Sequence, residues 1–590
     1  MHDSKVAIRK VYSGEIVGEF GKGTFLISPN SGMSKEEGEQ FVKALIKRGE
    51  KPVRVTLSLC PACADENKWL EMRIPALVFE KNSEILIRKK CKKHGVFEEK
   101  YWEDSEFYYR ARHFADNGLI LENPQIAKDP KEVICPLNCG LCAKHKSHTA
   151  LANIAVTNRC DLSCWYCFFY QRQNQPVYEP SLEQIRKMLR VLRSEKPVPS
   201  NAIQLTGGEP SVRKDIVSIV KMCREEGFEH VQFNTNGINL SKNPKLAREI
   251  IEAGANVIYL SFDGVSPKTN TKNYYEIPAA LENIRKAKNA GVVFVPTVIN
   301  GVNTGEIGDI LRYAAANIDV VRGVNFQPVS MVGMMPKNHR EKQRITIPRT
   351  LKLIEEQTNG EIEMNDFYPV PCVKPITDLV EAIRAKAQYR LSTHFACGAG
   401  TYVFMDGKKF VPITRFIDVE ALFEYLEQLA VRLRNSKAKG LSKVVESGKL
   451  LYNINSFIDA RKQPKGLDLG KLITKALIAG SYDGLKEFHY RSLFVGMMHF
   501  QDPYNYDVDR VERCAIHYAL PDGRVVPFCA YNVLPNLYRD KTNREFSTPA
   551  GEWEEKNKQK LKDDKYVRKL TTEKKLAIDK HYREMIGKFK

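Results

Sequence analysis

The fourteen cysteines constrain this 590-residue chain more than any other feature, because thirteen of them form groups that predict metal ligands. The remaining one, Cys223, stands alone in a helical pattern and predicts a buried structural thiol. The N-terminal residues MHDSKVAIRK contain no apolar run of the signal-peptide kind, so we expect a cytoplasmic protein. Disulfides are rare in that compartment, which again favours metal binding.

Two turns near the N-terminus each offer two metal ligands, about 30 residues apart. One turn is Cys60-Pro-Ala-Cys63, and the other is Cys91-Lys-Lys-His94. Four such ligands suit one tetrahedral ion, either zinc or iron. The region resembles a rubredoxin-like or zinc-ribbon module.

From about residue 150 the pattern alternates between apolar strands and amphipathic helices. The strand candidates are 153–157, 202–206, 230–235, 257–262, 292–298 and 320–327. Six βα units predict an α/β fold with a parallel sheet that right-handed crossovers curl into a barrel or partial barrel. Function is then expected at the C-terminal ends of the strands.

Two cysteine triplets share the spacing Cys-x3-Cys-x2-Cys. They are Cys135, Cys139 and Cys142, and then Cys160, Cys164 and Cys167. Each loop can offer three thiolates to one cubane and leaves a fourth iron for another ligand. The second triplet directly follows the first predicted strand, and Tyr166 precedes its last cysteine. The next strand ends in Thr206-Gly207-Gly208-Glu209-Pro210.

The second triplet and this strand end together resemble the radical S-adenosylmethionine (SAM) superfamily. The resemblance implies that Cys160, Cys164 and Cys167 hold a [4Fe–4S] cluster whose fourth iron binds SAM. It also implies SAM contacts at Tyr166, Gly207, Gly208, Glu209, Asn234, Asn236, Ser261, Asp263, Val298 and Asn300. Reductive cleavage of SAM would then give a 5′-deoxyadenosyl radical that abstracts hydrogen.

The other cysteines indicate auxiliary clusters, two in all. By resemblance to the C-terminal cluster domains of radical SAM enzymes, one cubane is expected at Cys372, Cys397, Cys514 and Cys529. The triplet at Cys135, Cys139 and Cys142 lacks a fourth cysteine. Its last iron could bind His145, stay open or bind substrate, although the favoured interpretation of His145 is an ordinary surface histidine.

These patterns divide the chain into five regions. They are a metal-binding region at 1–115, an auxiliary-cluster segment at 116–150, a partial (β/α)6 radical SAM barrel at 151–345, a C-terminal auxiliary-cluster domain with a helical insertion at 346–552, and a basic, solvated C-terminal helix at 553–590. Hairpins are predicted at 395–412 and 514–529, with helices at 421–434 and 469–480 between them.

Over nearly its full length the order of motifs resembles the archaeal tetraether lipid synthases. This resemblance implies an sp3–sp3 C–C bond between terminal carbons of phytanyl chains, with an intermediate bound at an auxiliary cluster. It also implies an archaeal phospholipid substrate, a low-potential electron donor and a peripheral membrane contact. The net charge of +20 suits phosphate headgroups and suits a Lys-rich solvated surface equally. No run of about 18 apolar residues predicts a membrane span.

Three alternatives remain open from sequence. One is a radical SAM methyltransferase acting on 7,8-dihydro-6-hydroxymethylpterin in methanopterin biosynthesis, which needs a polar, aromatic pocket rather than a long tunnel. Another is a tRNA-modifying enzyme, although no recognised RNA-binding module is present and nucleic acid is not expected as a partner. The third is an electron carrier with several metal centres, which would need no SAM site.

Overall fold

The computed structural model of the chain describes residues 12–169, 175–435, 453–470, 488 and 491–590. The helix predicted at 469–480 lies largely outside these residues. Two large sheets organise the described part, one of six strands and one of thirteen. Within it, no helix is both long enough and apolar enough to cross a bilayer.

The six-stranded sheet forms the N-terminal part. Its strands, in spatial order, are β1 (Ile16–Phe20), β2 (Gly23–Ile27), β3 (Lys51–Leu59), β4 (Arg73–Lys81), β5 (Glu84–Cys91) and β6 (Gly95–Trp102). The helices of this part are Lys35–Leu45, Pro61–Asp65 and Ser105–His113. Because β3 ends directly before Cys60 and β5 ends at Cys91, antiparallel pairing of both strands with β4 holds the two ligand turns at one edge.

The large sheet contains all six strands predicted from the βα pattern, within two residues at each end. They are β7 (Leu151–Thr157), β9 (Ala202–Gly207), β10 (His230–Thr235), β11 (Val257–Ser261), β12 (Gly291–Val295) with the short β13 (Thr297–Val298), and β14 (Val321–Pro328). Each pairs in parallel with its neighbour in this order, so their carboxyl ends share one edge. The two-residue β8 (Val177–Tyr178) lies outside this sheet and pairs with β21 (Ser547–Thr548).

Amphipathic helices connect the parallel strands. They are Leu182–Arg193, Ile216–Glu225, Ile238–Lys242, Pro244–Glu252, Ile277–Ala287 and Ile307–Ala316. The first begins at Ser181, whose hydroxyl accepts from the Gln184 amide while the Gln184 side chain accepts from the Ser181 amide. Its buried face carries Ile185, Met188, Leu189 and Leu192. Burying each such side chain stabilises the fold by about 1.5–3 kcal/mol.

Both hairpins predicted in the C-terminal half are present. The first is formed by β16 (Gly398–Asp406) and β17 (Lys409–Pro412), with β15 (Tyr368–Pro369) beside it, and the second by β19 (Ile516–Ala519) and β20 (Val525–Pro527). The stretch between them was expected to be largely helical, but β18 (Ser492–Met498) is a strand. A short apolar run such as SLFVGMM does not distinguish strand from buried helix by periodicity.

Strands from this half complete the large sheet at both sides. β18 pairs in parallel with β14, and β19 pairs in parallel with β7. Further helices are Arg340–Gln343, Ile347–Gln357, Lys374–Arg384, Val419–Asn435, Val508–Glu512, Phe528–Val533, Arg539–Phe546, Ala550–Asn557 and Thr572–Gly587. Helix Val419–Asn435 contains the predicted 421–434 segment and packs in an apolar cluster of its own with Leu379 of helix Lys374–Arg384.

The C-terminal helix differs from the solvated helix expected at 553–590. Tyr582 of Thr572–Gly587 is buried, and its ring stacks on Tyr274 and Tyr313 at centroid distances of 4.4 and 4.5 Å. The segment before it also contacts the second cysteine triplet, since the Tyr566 amide donates to the Asp161 carbonyl at 2.9 Å. The basic composition therefore predicts exposure to solvent only for the outer face of this helix.

Candidate active site and metal centres

The four predicted ligands of the N-terminal module converge on one point. All four ligand atoms of Cys60, Cys63, Cys91 and His94 lie within 4.8 Å of one another. The Sγ atoms of Cys63 and Cys91 are 3.8 Å apart, and His94 Nδ1 lies 3.4 Å from Cys63 Sγ. Sulfurs bound at about 2.3 Å to one tetrahedral ion are separated by about 3.8 Å, so the set fits zinc without rearrangement.

A carboxylate orients the histidine of this set. Glu66 Oε1 lies 3.1 Å from His94 Nε2, on the side of the ring away from the sulfurs. A proton on Nε2 leaves the lone pair on Nδ1 for a metal, which is the usual arrangement of carboxylate, histidine and zinc. Sequence reasoning missed Glu66, although it stands three positions after Cys63 in the same turn.

The second cysteine triplet lies at the mouth of the parallel sheet. Cys160, Cys164 and Cys167 line a cavity of about 240 Å³, together with predicted SAM contacts from four strand ends. Those contacts are Tyr166, Gly207, Gly208, Glu209, Asn234, Asn236 and Ser261. The structure therefore gathers most of the residues implied by the SAM resemblance around one space, at the edge where parallel strands place function.

The two glycines of the strand end are required by close backbone approach. A Cβ on Gly207 would lie 2.1 Å from the Thr157 carbonyl oxygen, and one on Gly208 would lie 2.0 Å from that of Arg159. Gly207 also has a φ of +135°, which disfavours any side chain. The Gly208 amide donates to the Thr157 carbonyl at 2.8 Å. The two glycines therefore let the end of β9 pack directly against the start of the cysteine loop.

Glu209 is buried and already accepts several hydrogen bonds. Its Oε1 accepts from the hydroxyls of Ser211 and Thr235, and its Oε2 accepts from the Asn236 amide at 2.7 Å. Burial, with the nearby charge of Asp161, raises the pKa of Glu209 to about 7. Glu209 therefore ties adjacent strand ends together as well as facing the cavity.

Asp161 carries an unsatisfied atom at the cluster loop. Its Oδ1 accepts from Asn236 Nδ2 at 2.6 Å, while its buried Oδ2 has no hydrogen-bond partner among the described residues. A buried carboxylate oxygen without a partner is costly unless a charged or polar group binds there. Asp161 lines a different cavity, with Lys242 and Tyr566, whereas the three thiols and the two glycines line the SAM cavity and fit a cubane with a further ligand.

Asp263 stands behind the cavity wall and positions two residues that face it. It accepts hydrogen bonds from the Tyr166 hydroxyl and, at 2.9 Å, from the Thr297 amide. Lys272 Nζ lies 2.6 Å from the same carboxylate and 5.5 Å from the Tyr166 ring centroid. Lys272 lines the cavity and was missed from sequence, because a lysine in the loop after β11 carries no motif.

Besides Asp263, two predicted SAM contacts lie off the wall that the described residues form around this cavity. Val298 is buried in β13, and Asn300 is exposed, with its Nδ2 donating to the Lys342 carbonyl at 2.9 Å. The short β13 ends at Val298, so the chain leaves the sheet before Asn300. The family resemblance assigns SAM contacts by their position along the sequence, so it does not show that the strand ends before Asn300.

The first triplet surrounds a separate small cavity. Cys135, Cys139 and Cys142 line it with His145 and Glu512. A hydrogen bond with Cys139, followed by burial, raises the pKa of Cys135. His145 is 4% exposed, so its interpretation as a surface histidine is wrong. Burial lowers its pKa to about 4, which keeps the imidazole neutral.

Three of the four C-terminal cysteines lie together. Burial and the charges of Cys529 and Cys397 raise the pKa of Cys514, and Arg510 Nε lies 3.4 Å from Cys397 Sγ. Cys529 also lines the cavity of the second triplet. Cys372 lies elsewhere, in a 3-10 turn where its charged neighbour is Arg110, so the predicted set of four is divided.

Comparisons with known proteins agree with this geometry. The radical SAM superfamily profile matches residues 154–314, and the HMPTM N-terminal zinc ribbon domain matches residues 52–103. The chain is 27% identical over 233 residues to GTP 3′,8-cyclase of Geobacter sulfurreducens, covering 38% of this chain and 67% of that protein. The crystal structure of methylornithine synthase aligns with 36% of this chain and 64% of its own at 17% identity, with a TM-score of 0.29.

A longer match corrects the prediction of activity. The chain is 45% identical over 518 residues to 7,8-dihydro-6-hydroxymethylpterin dimethyltransferase of Methanocaldococcus jannaschii, covering 86% of this chain and 99% of that protein. This relative contradicts the prediction of phytanyl-chain coupling and agrees with the methyltransferase alternative. The chain belongs to the same family of radical SAM proteins as this Methanocaldococcus jannaschii dimethyltransferase.

Proposed function

We propose that the protein is a radical SAM methyltransferase that methylates a reduced pterin, with 7,8-dihydro-6-hydroxymethylpterin as its substrate. The observation that carries the proposal is the 45% identity to the Methanocaldococcus jannaschii dimethyltransferase over nearly that protein's whole length. A match over 86% of the chain extends well beyond the radical SAM region at residues 154–314, so it bears on substrate as well as on cofactor.

The cofactor site supplies radical chemistry. A [4Fe–4S] cluster with bound SAM provides a 5′-deoxyadenosyl radical that removes hydrogen from an unactivated C–H bond. Cys160, Cys164 and Cys167 would hold the cluster. Gly207 and Gly208 let strand β9 approach the cluster loop, and the buried walls exclude water from a reactive intermediate. We also propose that the parallel sheet curls into the partial barrel expected from its βα order.

The remaining cavity wall suits a flat heterocycle with an amide edge. Carboxamides of Asn153, Gln204, Gln327 and Asn532 line it. Those of Asn153 and Gln204 already hydrogen-bond to each other, so recognition falls mainly to Asn532. Asn532 Oδ1 is buried and has no hydrogen-bond partner in the described part of the chain. A pterin ring presents matching donors and acceptors, and leaving such buried groups unpaired would reject an apolar substrate.

Aromatic side chains close the same wall. Phe500 and Phe528 stack at a centroid distance of 4.3 Å, and the Tyr518 ring lies 5.3 Å from Phe528. All three line the cavity. Offset stacking on a ring of this kind contributes about 0.5–1.5 kcal/mol beyond burial. A polar, aromatic pocket is what the pterin alternative requires.

We propose two auxiliary clusters, one at Cys135, Cys139 and Cys142 and one at Cys397, Cys514 and Cys529. One buried cluster of side chains contains Cys60, Cys139 and Cys529, and Cys167 packs against it. Such proximity supports electron exchange between centres after a low-potential donor has reduced one of them. Auxiliary centres of this kind would supply or accept the electrons that radical methylation requires.

The test is turnover by the full-length protein, reconstituted anaerobically with iron and sulfide. SAM, a low-potential reductant and 7,8-dihydro-6-hydroxymethylpterin are supplied, and products are followed by mass spectrometry. Pterin carrying one or two added methyl groups, with 5′-deoxyadenosine formed in parallel, is the expected result.

An Asn532→Leu variant provides the matched control for pterin recognition. It should still cleave SAM slowly without substrate while losing methylated pterin, because it alters only the recognition wall. Formation of 5′-deoxyadenosine at a rate unaffected by the pterin, with no methylated product in the unmodified protein, would rule out this substrate.

A further inference from the structure

The first cysteine triplet offers three thiols to a cluster and leaves its fourth iron to another group. Two side chains with ligand atoms share its cavity, His145 and Glu512. Both are 4% exposed, so neither is explained as a surface residue. The hydrogen bonds around the two side chains decide between them.

The Nε2 atom of His145 must carry a proton. It lies 2.8 Å from the carbonyl oxygen of Cys514, and a carbonyl can only accept. Nε2 also lies 2.9 Å from Nε2 of His517, which must then be the acceptor of that pair. Both contacts assign the His145 proton to Nε2.

A second line of hydrogen bonds gives the same tautomer from the opposite end. When Glu195 is ionised, the Thr149 hydroxyl donates to its Oε1 at 2.6 Å, so the hydroxyl accepts from His517 Nδ1 at 2.9 Å. His517 is therefore protonated at Nδ1 and unprotonated at Nε2, as the contact with His145 requires. The chain of Glu195, Thr149 and His517 fixes the ring of His145 from behind.

We propose that Nδ1 of His145 is the fourth protein ligand of the cluster held by Cys135, Cys139 and Cys142. With its proton on Nε2, the neutral ring has its lone pair on Nδ1, on the edge of the ring nearer its own backbone. That backbone is joined to the triplet, since the His145 amide donates to the Cys142 carbonyl at 3.0 Å. A ligating histidine whose other nitrogen donates to a carbonyl is the usual arrangement at metal sites.

Glu512 is the weaker candidate on charge. Three thiolates in a buried cavity already carry excess negative charge, and a carboxylate ligand adds another, whereas imidazole adds none. Glu512 also has a cation of its own, because Lys146 Nζ lies 3.4 Å from its Oε2. We assign it the role of holding Lys146 beside the cluster.

This assignment also connects two metal groups. The carbonyl that accepts from His145 belongs to Cys514, one of the three C-terminal cysteines that lie together. Tyr506 packs in the same buried cluster as Cys139 of the triplet and Cys514 and Cys529 of the C-terminal group. One hydrogen bond therefore separates the proposed histidine ligand from a residue of the next centre.

The test identifies the ligand atom directly, by electron–nuclear double resonance spectroscopy. The sample is the full-length protein in its reduced state, without SAM and with zinc bound at the Cys60 site. The inference rests on a cluster at the first triplet, so the cysteines of both neighbouring clusters are replaced by Ala to remove their signals. They are Cys160, Cys164 and Cys167, and Cys397, Cys514 and Cys529. Protein containing 15N-labelled histidine is compared with unlabelled protein. We expect a strong nitrogen coupling, which should change from a 14N signal in unlabelled protein to a 15N signal in protein with labelled histidine.

Three variants in that background complete the experiment. His145→Cys should abolish the nitrogen coupling, keep the iron content and lower the cluster's reduction potential, because thiolate replaces imidazole. His148→Gln is the matched control, since His148 is equally buried three residues away but binds the Arg390 backbone. Glu512→Gln should also keep the coupling.

Absence of a histidine-derived coupling in the unmodified triplet cluster overturns the assignment, and so does absence of any cluster at the triplet. The ligand would instead be the Glu512 carboxylate if two results were found together. Glu512→Gln would lose the cluster's spectrum, and His145→Cys would leave the nitrogen coupling unaffected. Neither outcome depends on pterin methylation, which is measured separately and tests the proposed function alone.

Discussion

Lys272 Nζ lies 2.6 Å from Asp263 Oδ2, and this ion pair fixes the Tyr166 side of the SAM cavity. The lysine side chain is 9% exposed and the carboxylate 5%. A charge pair buried to this extent is costly to break from one side, because the remaining partner stays buried and unpaired.

Replacing Lys272 with Met should therefore lower the free energy of unfolding by about 3 kcal/mol and weaken SAM binding. Denaturant titration and calorimetry on anaerobic protein measure the two effects. Lys268→Met alters an exposed lysine of the same loop and should change stability by less than about 0.5 kcal/mol. Equal stability and equal SAM affinity of the Lys272→Met and Lys268→Met variants would mean that the Lys272–Asp263 ion pair has no positioning role.

Gly208→Ala should damage the cysteine loop, because its Cβ would lie 2.0 Å from the Arg159 carbonyl oxygen. We expect a loss of about 1–3 kcal/mol of stability and incomplete loading of the SAM cluster. Iron analysis and thermal unfolding follow both. Gly551→Ala serves as the control, since nothing lies within 4 Å of its would-be Cβ. Full iron loading of the Gly208 variant would contradict the close-approach interpretation.

Glu66→Gln should weaken zinc binding at Cys60, Cys63, Cys91 and His94 by about 10–100-fold, as loss of an orienting carboxylate does at zinc sites. Competition with a chromogenic chelator measures the affinity. Glu71→Gln, an exposed change in the same loop, should leave it unchanged. A Glu66 variant with the original affinity would show that His94 needs no support from the carboxylate.

Stability should fall as the pH rises from about 4.5 to about 7, because burial raises the pKa of Glu195 from 4.5 to about 7. In that window the folded protein binds the Glu195 proton more tightly than the unfolded chain does. The contribution of Glu195 to the free energy of unfolding is therefore complete below pH 4.5 and is lost as the pH rises through 7. The shift corresponds to about 3 kcal/mol. Glu195→Gln should remove the Glu195 share of this slope in denaturant titrations and leave the share of Glu209, whose pKa is also raised to about 7. An unchanged slope would assign the whole effect to other groups.

Cys164→Ala should abolish 5′-deoxyadenosine formation while leaving the iron of the other centres in place. Liquid chromatography of SAM turnover and iron analysis check the two parts. Cys223→Ala is the matched control, because that buried thiol lies in helix Ile216–Glu225 and should leave both unchanged apart from a small loss of stability. Retained 5′-deoxyadenosine in the Cys164 variant would place the SAM cluster elsewhere.

Local patterns predicted the parts of this structure that depend on neighbours in sequence. The six parallel strands, the four-ligand module and the loop at Cys160 each follow from spacing within a short segment. Parallel pairing then brings the strand ends together, so Tyr166 and Glu209 could be placed at one cavity in advance.

The features that sequence missed depend on contacts between distant segments. The burial of His145 comes from His517, and the position of Lys272 comes from Asp263. Cys372 is separated from the other C-terminal cysteines by the path of the chain between β15 and β16, which its spacing does not reveal. The substrate prediction failed for a related reason, because it rested on the order of motifs along the chain, which does not describe the cavity wall.

The pairing of β19 with β7 bears on how the protein is made. Strand β7 precedes the SAM-cluster loop, yet one of its two neighbours is synthesised only after most of the chain. The same late segment supplies Cys514, Cys529 and the carbonyl that orients His145. The sheet around the SAM-cluster loop is therefore completed only after β19 (Ile516–Ala519) has been synthesised, so the metal groups of the two halves come together late.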